Sequence, residues 1–248
     1  MTVVVLGVLA LGIGVLVGTV GVGGVLLAPL LIAVGGLSAH AATATSTFTF
    51  MFTGATGTLA YGRRGVIPWA MLFRLSVGLV PAAYAGARVS AALPPTVILV
   101  ALAAVSLLAG THQVLALRRG VGSGADRDLT TWQLVLIGAV VGFGSALTGT
   151  GGPVLLVPLL LALGVAPVRA VAVSQVAQLP VVVPASIGFV TAGATDVRLG
   201  TVLGIAAACG VVAGSRLALQ LPSHRLRLLV ALACLGTGAF LLVRLVVA

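Results

Sequence analysis

The sequence has no lysine and no glutamate, and its only acids are Asp126, Asp128 and Asp196. All three fall in predicted loops. That excludes paired-carboxylate chemistry, a carboxylate-rich metal site and an acidic proton relay buried in a membrane. Its two cysteines, Cys209 and Cys234, lie far apart in apolar segments and are read as inert buried thiols that say little about redox compartment. His40, His112 and His224 are scattered, with no cysteine or acid at ligand spacing, so no metal and no cofactor is expected. Ser145 sits in Gly142-Phe143-Gly144-Ser145-Ala146, which lacks the second glycine and the strand of a nucleophile elbow. Gly21-Val22-Gly23-Gly24 has neither the strand nor the distant acid of a dinucleotide fingerprint. No residue set supports catalysis, so the chain is not read as an enzyme.

Charge of either sign is scarce: 6% of the 248 residues are charged, 60% are hydrophobic, and the mean hydropathy is +1.30. A soluble domain of this size carries far more charge, whereas a multi-pass membrane protein does not. The net charge of +10 comes entirely from arginine, placed singly or in pairs between apolar segments. Such spacing suits topology signals and lipid headgroup contacts and makes no nucleic-acid surface. Apolar runs cover 3–17, 25–34, 41–61, 66–93, 96–117, 132–147, 154–165, 170–191, 199–221 and 226–247. Most approach the roughly 20 residues that span hydrocarbon. Runs 25–34 and 154–165 reach only about half a bilayer at ~1.5 Å per residue. The first 17 residues lack the basic start of a signal peptide and have a counterpart in the second half, so they are expected to belong to the fold.

The two short runs follow matching glycine breaks. Thr19-Val20-Gly21-Val22-Gly23-Gly24 leads to Pro29, and Thr148-Gly149-Thr150-Gly151-Gly152-Pro153 leads to Pro158, 129 residues further on. At the same offset Thr45 falls on Ser174 and Thr49 on Gln178. Ala85-Gly86-Ala87-Arg88 likewise matches Ala213-Gly214-Ser215-Arg216, with an offset of 128. The pattern predicts an all-α, polytopic membrane protein with an inverted internal repeat. Each half is a glycine-broken hairpin plus three transmembrane helices. The first repeat spans 1–119, a cytoplasmic linker 120–130, and the second repeat 131–248. Arg63-Arg64, Arg118-Arg119, Arg127, Arg169 and His224-Arg225-Leu226-Arg227 are then cytoplasmic, and both termini lie outside. Discontinuous helices at corresponding places in two halves mark a transport site, because a backbone break survives in a membrane only against protein or a watery cavity.

Each break would present bare N–H groups and a positive helix end, at Val25 and at Val154 behind Pro153, to an anion. The expected substrate site draws on Gly23, Gly24, Thr45, Ser46 and Thr49 from one half. Gly151, Gly152, Ser174, Gln175 and Gln178 come from the other. Two amides on one apolar helix are costly unless they meet something polar. Thr43 and Thr47 are read as bonding back to their own helix. Accessory roles remain open for Thr19, Thr148, Thr150, Arg74, Arg88 and Arg216. Arg74 has no repeat partner and suits either an anion or a headgroup; Arg88 and Arg216 suit helix capping equally well.

The glycine breaks leading to Pro29 and Pro158 resemble those of the TauE/SafE family of sulfite-exporter-like membrane proteins. Further resemblance lies in the 41–46 stretch with its partner at 170–175, and in the Ala-Gly-x-Arg helices. The chain departs where Ile67-Pro68-Trp69 replaces a common acid of the first half, while the second half keeps Asp196. The resemblance implies a transporter, usually an exporter, of sulfite or related organosulfonates in the plasma (inner) membrane of a bacterium. Its partners would be a small anionic substrate, membrane lipid and possible further copies of itself, with no nucleic acid. A small-anion channel and a membrane-embedded enzyme or assembly factor for sulfur compounds are the alternatives.

Overall fold

The computed structural model describes residues 2–21, 24–90, 96, 100, 103–104, 107–108, 110–111, 114–115, 127–148, 151–191 and 195–247. Among these every regular element is helical. Helix α1 (Thr2–Val20) ends at the first glycine break, and a 3-10 turn (Gly24–Leu26) leads into the short α2 (Leu27–Ala33). Helices α3 (Ala39–Gly62) and α4 (Trp69–Ser90) follow. The described residues between 96 and 115 are helical too. Then come α5 (Thr131–Thr148), α6 (Pro153–Ala162), α7 (Pro167–Thr191), α8 (Val197–Gln220) and α9 (Ser223–Val247). Valine-rich sequence forms helices here because a lipid-exposed backbone must satisfy its own polar groups. The α-helix after the first break begins at Leu27, two residues later than the sequence suggests, since residues 24–26 tighten into the 3-10 turn. The linker at 120–126 lies outside the described residues.

Two helix pairs pack backbone to backbone. Along α1 and α8, a Cβ placed on Gly14 would lie 2.1 Å from the Ala207 carbonyl oxygen, and one on Gly214 would lie 2.3 Å from that of Val15. Along α4 and α5, a Cβ on Gly142 would lie 2.2 Å from the Leu79 oxygen, and one on Gly86 2.4 Å from that of Phe143. Only glycine permits such approach, and dispersion and packing between bare backbones hold helices together where lipid offers no hydrophobic drive. The contacts correspond: 14 and 142, 79 and 207, 86 and 214, and 15 and 143 each differ by 128. Residue numbers rise together within each pair, so α1 runs parallel to α8 and α4 parallel to α5.

Between these pairs lie α3 and α7. Gly57 meets Gln175 and Gly54 meets Leu179, so these two helices run antiparallel. Thr45 bonds the start of α8 and Arg64 its far end, at Asp196 and Ser215. Thus α3 is parallel to α8. Arg169 at the start of α7 reaches Asp128 at 3.1 Å, ahead of α5, and Met71 at the start of α4. Arg63, Arg64, Arg127, Arg169, Arg216 and Arg225 therefore gather at one end of the bundle, while Asp196 and Arg198 begin α8 at the other.

The exterior is apolar. Val4, Val8, Phe73, Val77, Leu136, Val140, Ile205, Leu232 and Val243 all turn outward and are exposed. No water-soluble surface carries such a belt. Trp69–Gly86 and Val197–Gln220 are each long and apolar enough to cross a membrane. Polar residues reverse the usual rule and lie inside: Thr45, Ser46, Thr49, Thr53, Ser145, Ser174, Gln175, Gln178, Ser186 and Ser215 are all buried.

Candidate functional site

The two glycine breaks meet beside the middles of α3 and α7. Gly21 has φ +75°, and a Cβ on it would strike Val157 of α6 at 2.6 Å, with Pro153 3.7 Å away. The first break is thus seated against the helix that follows the second. A Cβ on Gly24 would come within 2.9 Å of the Phe50 ring, and one on Gly151 within 3.5 Å of that same ring. Gly151 also lies against Gln178, whose Nε2 is 3.3 Å from the Cβ position. Phe50 is near the centre of α3 and Gln178 near the centre of α7, so the meeting point is at mid-depth.

Each break starts a short helix that leads away from this point. From Gly24, α2 runs to the N-terminal end of α3. From Gly152, α6 runs to a turn where the Gly164 carbonyl accepts from the Arg127 N–H at 3.2 Å, beside the N-terminal end of α7. Since α3 and α7 are antiparallel, α2 and α6 leave toward opposite faces. Gly152 caps α6 with φ +107° and no side-chain bond, a conformation closed to residues with a Cβ, and Pro153 occupies the first turn. Leu155 and Leu156 donate to the Gly152 carbonyl at 3.2 and 3.0 Å. The positive end of the α6 dipole faces the interior with no carboxylate among the described residues placed there.

Gln175 and Gln178 are 0% and 2% exposed, and the Oε1 atom of each has no hydrogen-bond partner among the described residues. An unmet amide oxygen in such a place costs about 1–3 kcal/mol. Gln175 is held fast: its Nε2 donates to the Val17 carbonyl at 2.6 Å, and its Oε1 occupies the space that Gly57 leaves by having no side chain. Tyr61 donates to the next carbonyl, Gly18, at 2.5 Å. These two bonds from α7 and α3 fix the last turn of α1 ahead of the break. Gln178, one turn further along α7, faces Gly151.

The other expected residues divide. Thr49 donates to the carbonyls of Thr45 at 2.9 Å and Gly200 at 3.3 Å, and the Thr45 hydroxyl accepts from the Asp196 N–H at 3.1 Å. Both therefore point at α8 and away from the breaks. The reason is helical phase: positions 45, 48, 49 and 52 form the face toward α8, while 50, 54 and 57 face α7 and the breaks, about 150° further round. Ser174 donates to the Ala170 carbonyl of its own helix at 2.7 Å, and Thr19 to Val15 at 2.7 Å and Gly214 at 3.2 Å. Ser46 is buried on α3. Arg74 is exposed on the outer face of α4 beside Phe73 and Val77, and Arg216 is exposed at the arginine-rich end. Neither is brought to the breaks. Gly23 and Thr150 lie outside the described residues, as do the side chains of Thr148 and Arg88. Asp196 caps α8, accepting from Leu199 at 2.9 Å; its counterpart in the first half is Pro68.

Two residues at the meeting point were not among the expected site residues. Phe50 carries no polar atom, and only its place one residue past Thr49 could have suggested it. Ser145 is buried, with its Oγ 3.9 Å from the position of a Cβ on Gly152; its place four residues before Gly149 of the second break was the available signal.

A family model described as "Sulfite exporter TauE/SafE" matches residues 6–241. No curated protein and no solved structure matches the chain.

Proposed function

Because the chain belongs to the sulfite exporter TauE/SafE family, we propose that it carries a small sulfur-containing oxyanion across the membrane, held where the two glycine breaks meet. The family supports a membrane transporter of exporter type; the site is read from the geometry. The single observation that carries it is the convergence of Gly24 and Gly151 on the Phe50 ring, with Gln178 beside Gly151. There the N-terminus of α6 offers backbone donors and a positive dipole end, and Gln178 offers an amide at the same place. Phe50 and the aliphatic residues of α6 supply the dry wall that strengthens those bonds.

The polarity of the glutamines narrows the ligand. Gln175 is pinned through its nitrogen with its oxygen against Gly57, whereas Gln178 can turn its terminal amide to present either a donor or an acceptor at the breaks. A ligand bearing one proton satisfies donors and acceptors together. Sulfite ionises near neutrality, so its singly protonated form fits better than a fully deprotonated dianion. Proton coupling then travels on the substrate and needs no carboxylate.

We further propose that the two halves are an inverted repeat. The support is the matched exchange of contacts between α1·α8 and α4·α5 and the antiparallel crossing of α3 and α7. With the arginine-rich end in the cytoplasm, α6 opens inward and α2 outward, both termini lie outside, and residues 120–130 face the cytoplasm. Thr45, Thr49 and Ser174 hold the frame of this site and do not touch the anion.

The test is flux in proteoliposomes of purified chain. Sulfite should move down its gradient, saturate, and exchange against trapped unlabelled sulfite faster than it leaves alone. Flux that neither saturates nor counterflows identifies a channel, and absence of flux with folded protein contradicts transport.

A further inference from the structure

The arginine-rich end carries a second feature that the transport reading does not use. A pocket of about 170 Å³ opens between the C-terminal turns of α3 and α8, lined by Thr56, Leu59, Arg63, Arg64, Ser215 and Arg216 among others. It adjoins a wider, more open hollow of about 660 Å³ between α3, α4 and α7, lined by Ala55, Thr58, Leu59, Arg63, Trp69 and Leu179. Leu59 and Arg63, one turn apart on α3, border both.

The charge here is unbalanced. Arg63, Arg64 and Arg216 are exposed side chains around one small pocket. Of the chain's three acids, Asp128 is engaged by Arg169 and Asp196 caps α8 at the opposite end; Asp126 lies outside the described residues. Arg64 makes a 3.4 Å bond to the Ser215 carbonyl, which leaves most of its donors to solvent or a ligand. Three guanidinium groups side by side repel one another unless an anion joins them. The adjoining hollow is of the other kind. Leu59 and Trp69 are about half exposed, and the groove extends along α3 from Gly62 to Ala55, about 10 Å, toward Leu179 in the middle of α7. A tryptophan at the start of a span, beside arginines and above an apolar slot, marks the headgroup level.

We propose that these joined hollows bind one anionic phospholipid, with its phosphate on Arg63, Arg64 and Arg216 and an acyl chain laid over Leu59 into the groove beside Trp69 and Leu179. An apolar slot reaching mid-membrane distinguishes this occupant from a free anion, which the arginines alone would hold. Lipid seated there links the ends of α3 and α8, and α3 also carries Phe50 of the central site.

The experiment uses the purified full chain in neutral phosphatidylcholine nanodiscs, with phosphatidylglycerol titrated in and bound lipid counted by native mass spectrometry. Inorganic phosphate serves as the soluble arm. Wild type should retain phosphatidylglycerol over phosphatidylcholine and gain thermal stability with it. Arg63→Gln with Arg216→Gln should weaken retention by about fivefold for each arginine removed. Arg225→Gln, at the same end but outside the pocket, should change nothing. Leu59→Glu, which leaves the arginines in place, should lower retention as well. If the double variant misfolds, Arg216→Gln alone gives the same reading, about fivefold instead of about 25-fold. Equal retention by the arginine variants and wild type overturns the proposal. So does saturation of the stabilising effect by phosphate alone, which makes the pocket a soluble-anion site.

Discussion

Gln178→Leu separates binding from folding at the proposed site. The side chain is buried at mid-depth against Gly151, and its amide oxygen has no partner among the described residues. In the empty protein, replacing that amide by an apolar side chain of similar volume removes an unmet polar atom and should raise the melting temperature or leave it unchanged. With the anion bound, the same change removes a hydrogen bond to a charged ligand, about 1.5–3 kcal/mol, or about 10- to 150-fold in affinity. Stability and binding should thus move in opposite directions, as stability and function often do at a site. Thermal denaturation of purified protein across a sulfite titration reads both at once. Gln175→Leu makes the contrast: losing the 2.6 Å bond to Val17 frees the last turn of α1 and should lower stability before any ligand is added. A Gln178→Leu protein that melts earlier yet keeps its full sulfite response would refute this assignment of roles.

Four further outcomes follow from the same structure. Gly14→Leu and Gly142→Leu, both at backbone contacts of about 2 Å, should each destabilise by well over ~3 kcal/mol and to a similar degree, while Gly12→Leu, which meets nothing within 4 Å, should be neutral by yield and melting point. Thr49→Val should cost about 1 kcal/mol of stability through its bonds to α8, with sulfite affinity unchanged in the same titration. Gly152→Ala should abolish transport in proteoliposomes, because φ +107° excludes a Cβ and the turn must move. The apparent affinity for total sulfite should fall as pH rises through neutrality, since the singly protonated form declines in that direction; a flat profile in equilibrium binding would argue for the dianion.

The glycine breaks were legible because glycine amid apolar residues is rare enough to mark itself, and repetition fixed their pairing. Among the described residues, most helix boundaries followed from the lengths of the apolar runs. What failed was phase. Thr45 and Thr49 share a face at i and i+4, but nothing in the sequence says which neighbour that face meets, and Phe48 and Phe52 turn it toward α8. Phe50, one residue on, reaches the breaks instead. The Gly14-x3-Gly18, Gly138-x3-Gly142 and Gly210-x3-Gly214 spacings were also present to be read as close helix contacts. They pass unnoticed because partners in such contacts come from opposite halves of the chain. Gln175 and Gln178 looked equivalent for a similar reason: the carbonyl that distinguishes them, Val17, is 158 residues away from Gln175.

The measurement that tests the central claim most directly is a diffraction experiment on crystals of the chain soaked with selenite, a sulfite analogue that scatters anomalously. An anomalous peak is expected beside Gln178, within hydrogen-bond reach of the backbone at Gly151–Val154 and against Phe50. A selenite-saturated protein whose only peak lies among Arg63, Arg64 and Arg216, or elsewhere away from the two breaks, contradicts the site.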